Sequence, residues 1–535
     1  MWQQNYTPVA DSLAVSTLLA SLPIFVLLLL IGIIRKPAWI AALSGLGAAM
    51  VVALGVYQMP VETMLSAVGF GAAFGLFPIG WIVYWAIVLY RMTVDTGKFE
   101  IIKDSIGGLT DDRRLQALLI AFALGAFIEG AAGFGTPVAV AAAMMTGLGF
   151  SPFYSAGICL LANTAPVAFG SIGIPIFTLA GITGLPLLDL SAWVGRICAP
   201  VSLFVPAYLI LVMGGWKALR GVMPAAAICG VAFAGTQFYV SNYIGPQLTD
   251  ILSALAAIIS LVILFKIWKP ADVYVLEGAE ASVTPKRHSA AATLQAWSPY
   301  LFLVLFVLLW GNDAIKAFLN QATTIIAWPG LHNLVERIPP VVGAAAPYKA
   351  EFAFNLFSAA GTACLFATLA SMITLKISPA KYVSILAATW RQLFLSMVTI
   401  ASVLGLAFLM NYCGATATLG LAFAATGVLF PYFSAMLGWL GVFLTGSDTS
   451  ANALFGNLQV VTANRLNLDP ILMAASNSSG GVMGKMISLQ SIAVAAAATA
   501  MATSEEAKLF RFTMRHSIFL ASVLGLVTTF YAYVL

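Results

Sequence analysis

Residues 127–139 read Phe-Ile-Glu-Gly-Ala-Ala-Gly-Phe-Gly-Thr-Pro-Val-Ala, and from Arg114 to Arg196 the only charged residue besides Glu129 is Asp189. Glycine costs a helix interior about 1 kcal/mol relative to alanine. Gly130, Gly133 and Gly135 in quick succession therefore predict a helix that comes apart here. Thr136-Pro137 predicts its restart, because Thr caps helix N-termini and Pro is favoured at the first helical position. The new helix then turns free backbone N–H groups toward the break, and such an end attracts anions. Glu129 stands beside it, and an intramembrane carboxylate is expensive enough to mark an ion or substrate path.

Composition places this stretch in a membrane. The chain has 535 residues, of which 61% are hydrophobic and 8% charged, where a soluble globular chain carries about 25% charged residues. No nucleic-acid-binding module, cytosolic enzyme or disordered scaffold keeps so much apolar surface in water. The apolar residues suffice for about a dozen spans of ~20 residues. Their runs predict an all-α polytopic protein of twelve to fourteen transmembrane segments, with the Gly-rich stretches 130–176 and 441–484 readable also as hairpins that enter and leave by one face. The five cysteines sit singly without C-x-x-C spacing, which argues against a disulfide framework or a zinc site. No cation precedes Arg35, so the first span is expected to be retained rather than cleaved as a signal peptide.

Lys and Arg gather at 35–36, 91–114, 217–220, 266–287, 376–391 and 508–515, segments that the positive-inside rule assigns to the cytoplasm. Both termini then fall on the periplasmic side, and 311–350 forms a long external loop. The polar stretch 266–297 reads as a cytoplasmic linker between a first half, 1–265, and a second half, 298–535. In the first half breaks are expected at 129–137 and again at 163–175, where Asn163-Thr164-Ala165-Pro166 and Gly170 to Pro175 interrupt an apolar run. The second half repeats the pattern. Phe443-Leu444-Thr445-Gly446 matches Phe127-Ile128-Glu129-Gly130, and breaks are expected at 445–452, around Ser447-Asp448-Thr449, and at 477–485, from Asn477-Ser478-Ser479-Gly480-Gly481 to Lys485. Gly130 to Asn163 is 33 positions and Gly446 to Asn477 is 31. Interrupted hydrophobic segments at matching places in two halves point to a transporter's midplane site. The competing reading is that small residues let helices pack closely, and Gly71-x-x-x-Gly75 is read that way.

The string Glu129 to Ala139, the downstream Asn163-Thr-Ala-Pro-Val-Ala-Phe-Gly-Ser-Ile-Gly-Ile-Pro-Ile176 and the opening Trp2-Gln-Gln-Asn-Tyr6 resemble the lactate permease family, bacterial importers of lactate and glycolate, over nearly the whole chain. The resemblance implies a proton-coupled symporter of small 2-hydroxymonocarboxylates in the inner membrane. It further implies the architecture of the ion-transporter superfamily, two repeats each with a re-entrant hairpin and a broken helix.

A small hydroxyacid needs donors for its carboxylate and a polar partner for its hydroxyl in an otherwise dry pocket. The candidates are backbone N–H groups at Gly133, Gly135 and Thr136 and from Ser478 to Gly481, with the side chains of Asn163, Thr164, Ser447, Thr449, Asn477, Ser478 and Ser479. Lys485 is the candidate point charge. Proton coupling needs a group that is protonated when loaded and releases its proton inside, and this role falls to Glu129, with Asp448 as partner or second relay. The histidines, His288, His332 and His516, are read as lying in or near connecting segments. No H-E-x-x-H, P-loop or intramembrane histidine pair occurs, so neither metal nor cofactor is expected and an ion gradient is the energy source. Sodium coupling is an alternative; a passive anion channel and a proton-translocating subunit of a redox complex are rival readings of the whole chain.

Overall fold

The structure, a computed structural model, describes every residue except Arg35, Phe134, Val273, residues 275–285 and Arg287. Among the described residues eleven helices are long and apolar enough to cross a membrane, or twelve if the bent pair Pro152–Ala162 and Val167–Thr183 counts as one span. The longest, Leu187–Tyr243, holds 57 residues and bends where Gly215 adopts a positive φ of 68°. At 1.5 Å per residue it is far longer than one ~30 Å bilayer core requires and supplies two passes. Large apolar side chains such as Phe25, Val51, Val231 and Ile373 lie exposed on the flanks, where a soluble protein would carry charge; lipid is their solvent. The chain is a multi-pass membrane protein.

Four discontinuous segments form the centre. The first hairpin runs through Arg113–Ala131, has left-handed glycines at Gly133 and Gly135, and returns through Thr136–Gly147. Its two ends meet, since the Arg113 guanidinium donates to the Leu148 carbonyl. The first broken helix follows: Pro152–Ala162, capped by Ser151, then Gly170–Thr183 after a 65° bend. The second hairpin is Phe430–Thr445 and Asp448–Leu466, hinged at Gly446 with φ +73°. The second broken helix is Pro470–Lys485 followed by Leu489–Ala498.

Contacts fix which way each hairpin points. Arg114, at the mouth of the first, is fully buried and ion-pairs with Asp112 at 2.7 Å and Asp272 at 3.0 Å, while reaching the Ala218 carbonyl in the bend of the 57-residue helix. The mouth of the second hairpin lies at the other end of the bundle. Gly456 packs on Leu179 and Ile182, Asn457 bonds Asn411, and Asn411 bonds the Ile182 carbonyl. The two hairpins therefore enter from opposite sides, which makes the repeat an inverted one.

The side of the second hairpin's mouth also carries a small β-cap. Trp2–Gln3 pairs in parallel with Val335–Arg337, which pairs with Ala346–Pro347, and Thr324–Ala327 pairs with Glu351–Phe354. The stretch expected as an external loop is thus folded: Asn312 caps a short helix, Asp313–Asn320, and the strands tie the amino terminus down, with Gln4 donating to the Asn411 and Tyr412 carbonyls at 2.8 Å. Of the stretch read as a linker between the halves, Val273, residues 275–285 and Arg287 lie outside the described residues. Its flanks are helical, ending with Ile267 and resuming at Ala290. All five cysteines are free and buried.

Candidate functional site

One cavity of about 90 Å³ receives residues from all four discontinuities. The first hairpin gives Glu129 and Gly135, and the first broken helix Gly170, Ser171, Ile174 and Pro175. The second hairpin contributes Gly446, Ser447, Asp448 and Thr449, and the second broken helix Lys485, Gln490, Ser491 and Val494. Four helices begin at its wall. Thr136 follows a left-handed Gly135 (φ +80°), Asp448 follows Ser447, and Leu489 follows Ser488. The fourth start comes after three successive left-handed residues, Ser171, Ile172 and Gly173, with φ of 48°, 60° and 77°. Two non-glycine residues in that region carry strain, and Ser171 is held there by its hydroxyl, which donates to the Ala132 carbonyl at 2.9 Å. Gly133 makes this possible, because a Cβ on it would collide with Ser171 Oγ. Each helix start presents N–H groups and the positive end of a dipole, so the cavity is built to receive negative charge.

The charged side chains are arranged around that feature. Lys485 Nζ donates to the Gly446 carbonyl at 2.6 Å. It interacts electrostatically with both Glu129 and Asp448, yet among the described residues it forms no ion pair within 4.0 Å. Asp448 is the better supported acid. Its Oδ2 accepts from Ser478 Oγ at 2.6 Å and from Asn452 Nδ2 at 3.4 Å. Asn452 also reaches the Pro175 carbonyl at 3.1 Å, which ties the second hairpin to the first broken helix. Glu129, 5% exposed, is faced by Asn163 and leaves Oε2 without a partner.

The expected residues separate into three groups. Glu129, Gly135, Ser447, Asp448, Thr449 and Lys485 line the cavity. Gly133, Asn163 and Ser478 stand directly behind it, against Ser171, Glu129 and Asp448. Thr136, Thr164, Asn477 and Ser479 do not line it. Thr136 is the first residue of its helix while Gly135 holds the cap position, without a side-chain cap bond. Thr164 bonds the Leu161 carbonyl at 2.7 Å.

Asn477 and Ser479 lie inside a continuous helix, since Pro470–Lys485 runs unbroken through Asn477 to Gly481 and opens only at Met486 to Ser488. The backbone N–H groups from Ser478 to Gly481 are therefore helical, not free at a break. The glycines there serve close packing: a Cβ on Gly480 would strike the Ala435 backbone, and one on Gly484 the backbone at Trp439. Gln490 and Ser491, which follow the true opening, were not among the expected residues. Nor was Asp250. His516, expected near a connecting segment, lies within the helix Thr503–Tyr533, bonded to the Tyr208 hydroxyl at 2.6 Å.

Gly446 and Gln490 also border a larger cavity of about 1100 Å³ that includes Lys36, Phe443, Glu506 and Arg511. Among the described residues, the hinge of the second hairpin and the start of Leu489–Ala498 thus line both this basic-rimmed space and the central cavity.

The family described as L-lactate permease matches residues 16–535. The chain is 45% identical to the L-lactate permease of Bacillus subtilis (strain 168), over 98% of each chain. It is 43% identical to the L-lactate permease of Escherichia coli (strain K12), over 100% of this chain and 99% of that one. It is likewise 43% identical to the glycolate permease GlcA of the same strain, over 100% of this chain and 98% of that one.

Proposed function

The chain belongs to the L-lactate permease family, and from that premise we propose that it is a secondary active transporter carrying lactate, glycolate and related small 2-hydroxymonocarboxylates in symport with protons across the bacterial inner membrane. The observation that carries this reading is the meeting of four helix starts and one lysine at a single small cavity flanked by buried carboxyls. The substrate carboxylate takes the place near Lys485 and the N–H groups at Gly135 and Ser447. Ser171, Thr449, Gln490 and Ser491 offer partners to its 2-hydroxyl. Ile174, Pro175 and Val494 give the apolar remainder a dry wall. Proton coupling belongs to Glu129, because an arriving anion and an arriving proton lower each other's cost in a site of low dielectric. The basic-rimmed cavity at Lys36 and Arg511 is the cytoplasmic way out, by the rule that short Lys/Arg-rich loops stay inside, and both termini then lie in the periplasm.

Purified protein in proteoliposomes tests this. Labelled lactate should accumulate when the interior is made alkaline, and unlabelled glycolate should compete. Glu129→Gln should keep exchange of labelled for unlabelled lactate while losing accumulation. Accumulation by that variant at the wild-type level would remove Glu129 from proton coupling, and equilibration without accumulation by the wild type would favour a passive channel.

A further inference from the structure

Among the described residues, one buried acid outside the substrate cavity has no hydrogen-bond partner on either oxygen. Asp250 lies in the first turn of Thr249–Ile267, is 1% exposed, and neither carboxylate oxygen is bonded. Leaving a polar group buried without a partner is costly, and more so for a charge; Asp448, by contrast, has at least its Oδ2 bonded, to Ser478 and Asn452. The fold brings Asp250 against the first hairpin. Gly130 permits it, since a Cβ there would stand 2.7 Å from Asp250 Cβ, and the carboxyl of the preceding residue, Glu129, interacts with Asp250 electrostatically.

The elements packed on this helix are Leu187–Tyr243, Arg113–Ala131 and Gly170–Thr183. The titratable groups they turn toward Asp250 are Glu129 and the Cys198 thiol. Asp250 itself lines no cavity, but the chain just before it does. Gln247 and Leu248, just before it in the chain, line a cavity of about 830 Å³ that also takes in Asp189, Lys316 and Asn355. That cavity lies on the side of the β-cap, opposite the mouth of the first hairpin, and it shares no residue with the substrate cavity.

We propose that Asp250 is a proton-relay residue that passes protons between the cap-side cavity and Glu129, so that proton and substrate reach the central site by separate routes. This deepens the symport reading and rests on it. A proton arriving from water in the cap-side cavity binds an Asp250 carboxylate oxygen and forms an O–H bond. That bond breaks as the proton passes to a Glu129 oxygen, and Asp250 returns to the carboxylate it was. Gly130 allows the helix of Asp250 to approach the first hairpin closely enough for the two acids to interact. Asn at 250 has the same shape but neither accepts nor yields a proton on this path.

The experiment compares wild type, Asp250→Asn and Asp250→Glu in proteoliposomes, with two readouts for each. Exchange of labelled for unlabelled lactate needs no net proton movement, whereas accumulation driven by a pH gradient does. Asp250→Asn is expected to exchange within about twofold of wild type and to lose at least tenfold in initial rate of gradient-driven uptake, and Asp250→Glu to recover part of that rate. Gradient-driven uptake by Asp250→Asn at the wild-type rate would overturn the relay. So would loss of exchange and uptake together in both variants, which would make Asp250 a structural residue. A wild type that accumulates lactate without response to the pH gradient would bring down the symport reading and the relay with it; failure confined to the variants touches the relay alone.

Discussion

Gly170 lies against the Glu129 carboxyl so closely that a Cβ on the glycine would stand 2.5 Å from Oε1. The first broken helix thus sets where the acid of the first hairpin points. Gly170→Ala should displace Glu129 without adding or removing a charge. The expected result is protein that inserts at the wild-type level, with gradient-driven lactate uptake reduced at least tenfold. Uptake within a factor of two of wild type would show that the acid tolerates displacement.

Lys485 is the lone cation at the cavity wall among the described residues, and its bond to the Gly446 carbonyl holds it beside the hinge of the second hairpin. Lys485→Met should raise the KM for lactate at least tenfold, equivalent to about 1.4 kcal/mol of lost binding. Lys485→Arg should recover only part of this, because a guanidinium presents its charge in a different shape. Competition against labelled lactate in membrane vesicles measures both.

Ser478 donates the shortest bond that Asp448 receives. Ser478→Ala leaves that oxygen with Asn452 alone, at 3.4 Å, and an under-bonded buried acceptor costs of the order of 1–3 kcal/mol. Lower thermal stability in detergent is expected, together with weaker coupling of the second hairpin to its broken helix, read as a lower uptake rate. Thermal unfolding and initial rates of the same preparation test it, and an unchanged melting temperature would count against the bond.

Outside the membrane, the Arg114 guanidinium holds the Asp272 carboxyl below the usual carboxylate range. A carboxylate lowered on folding contributes stability above its unfolded value of ~3.9, and that contribution is lost as pH falls through its folded value. Asp272 is half exposed, so the effect is small, under about 1 kcal/mol. Asp272→Asn should lower the melting temperature at pH 7 slightly, and the gap to wild type should close below pH ~4. A gap that widens on acidification would show the sign to be wrong.

Much of this centre is legible in the chain because its chemistry is local. Three glycines with Thr136-Pro137 announce the first tip, and Thr445-Gly446-Ser447-Asp448 the second, since a left-handed glycine hinge needs only neighbouring residues, although the cap falls on Gly135 rather than Thr136 in the first and on Ser447 in the second. The second broken helix was misplaced for an equally physical reason. Glycine both ends helices and lets them touch, and at Gly480 and Gly484 the cause is a backbone across the interface, which one segment read alone does not display. The true opening at Met486 to Ser488 has no glycine. Asp250 draws no notice in the sequence because an acid in the first turn of a helix is ordinary; what sets it apart, the lack of any partner and the interaction with Glu129, arises only when residues 121 positions apart in sequence come together. The family resemblance drawn from Glu129 to Ala139 is shown over residues 16–535.

Because the two hairpins are rooted on opposite faces and end against the same small space, the tip of the second, at Gly446, borders both that space and the cavity that holds Lys36 and Arg511. Gly135 of the first hairpin meets the central space from the opposite face, so its wall is made of glycine backbone at both tips. On the side of Lys36 and Arg511, one glycine of the second hairpin is thus common to both spaces.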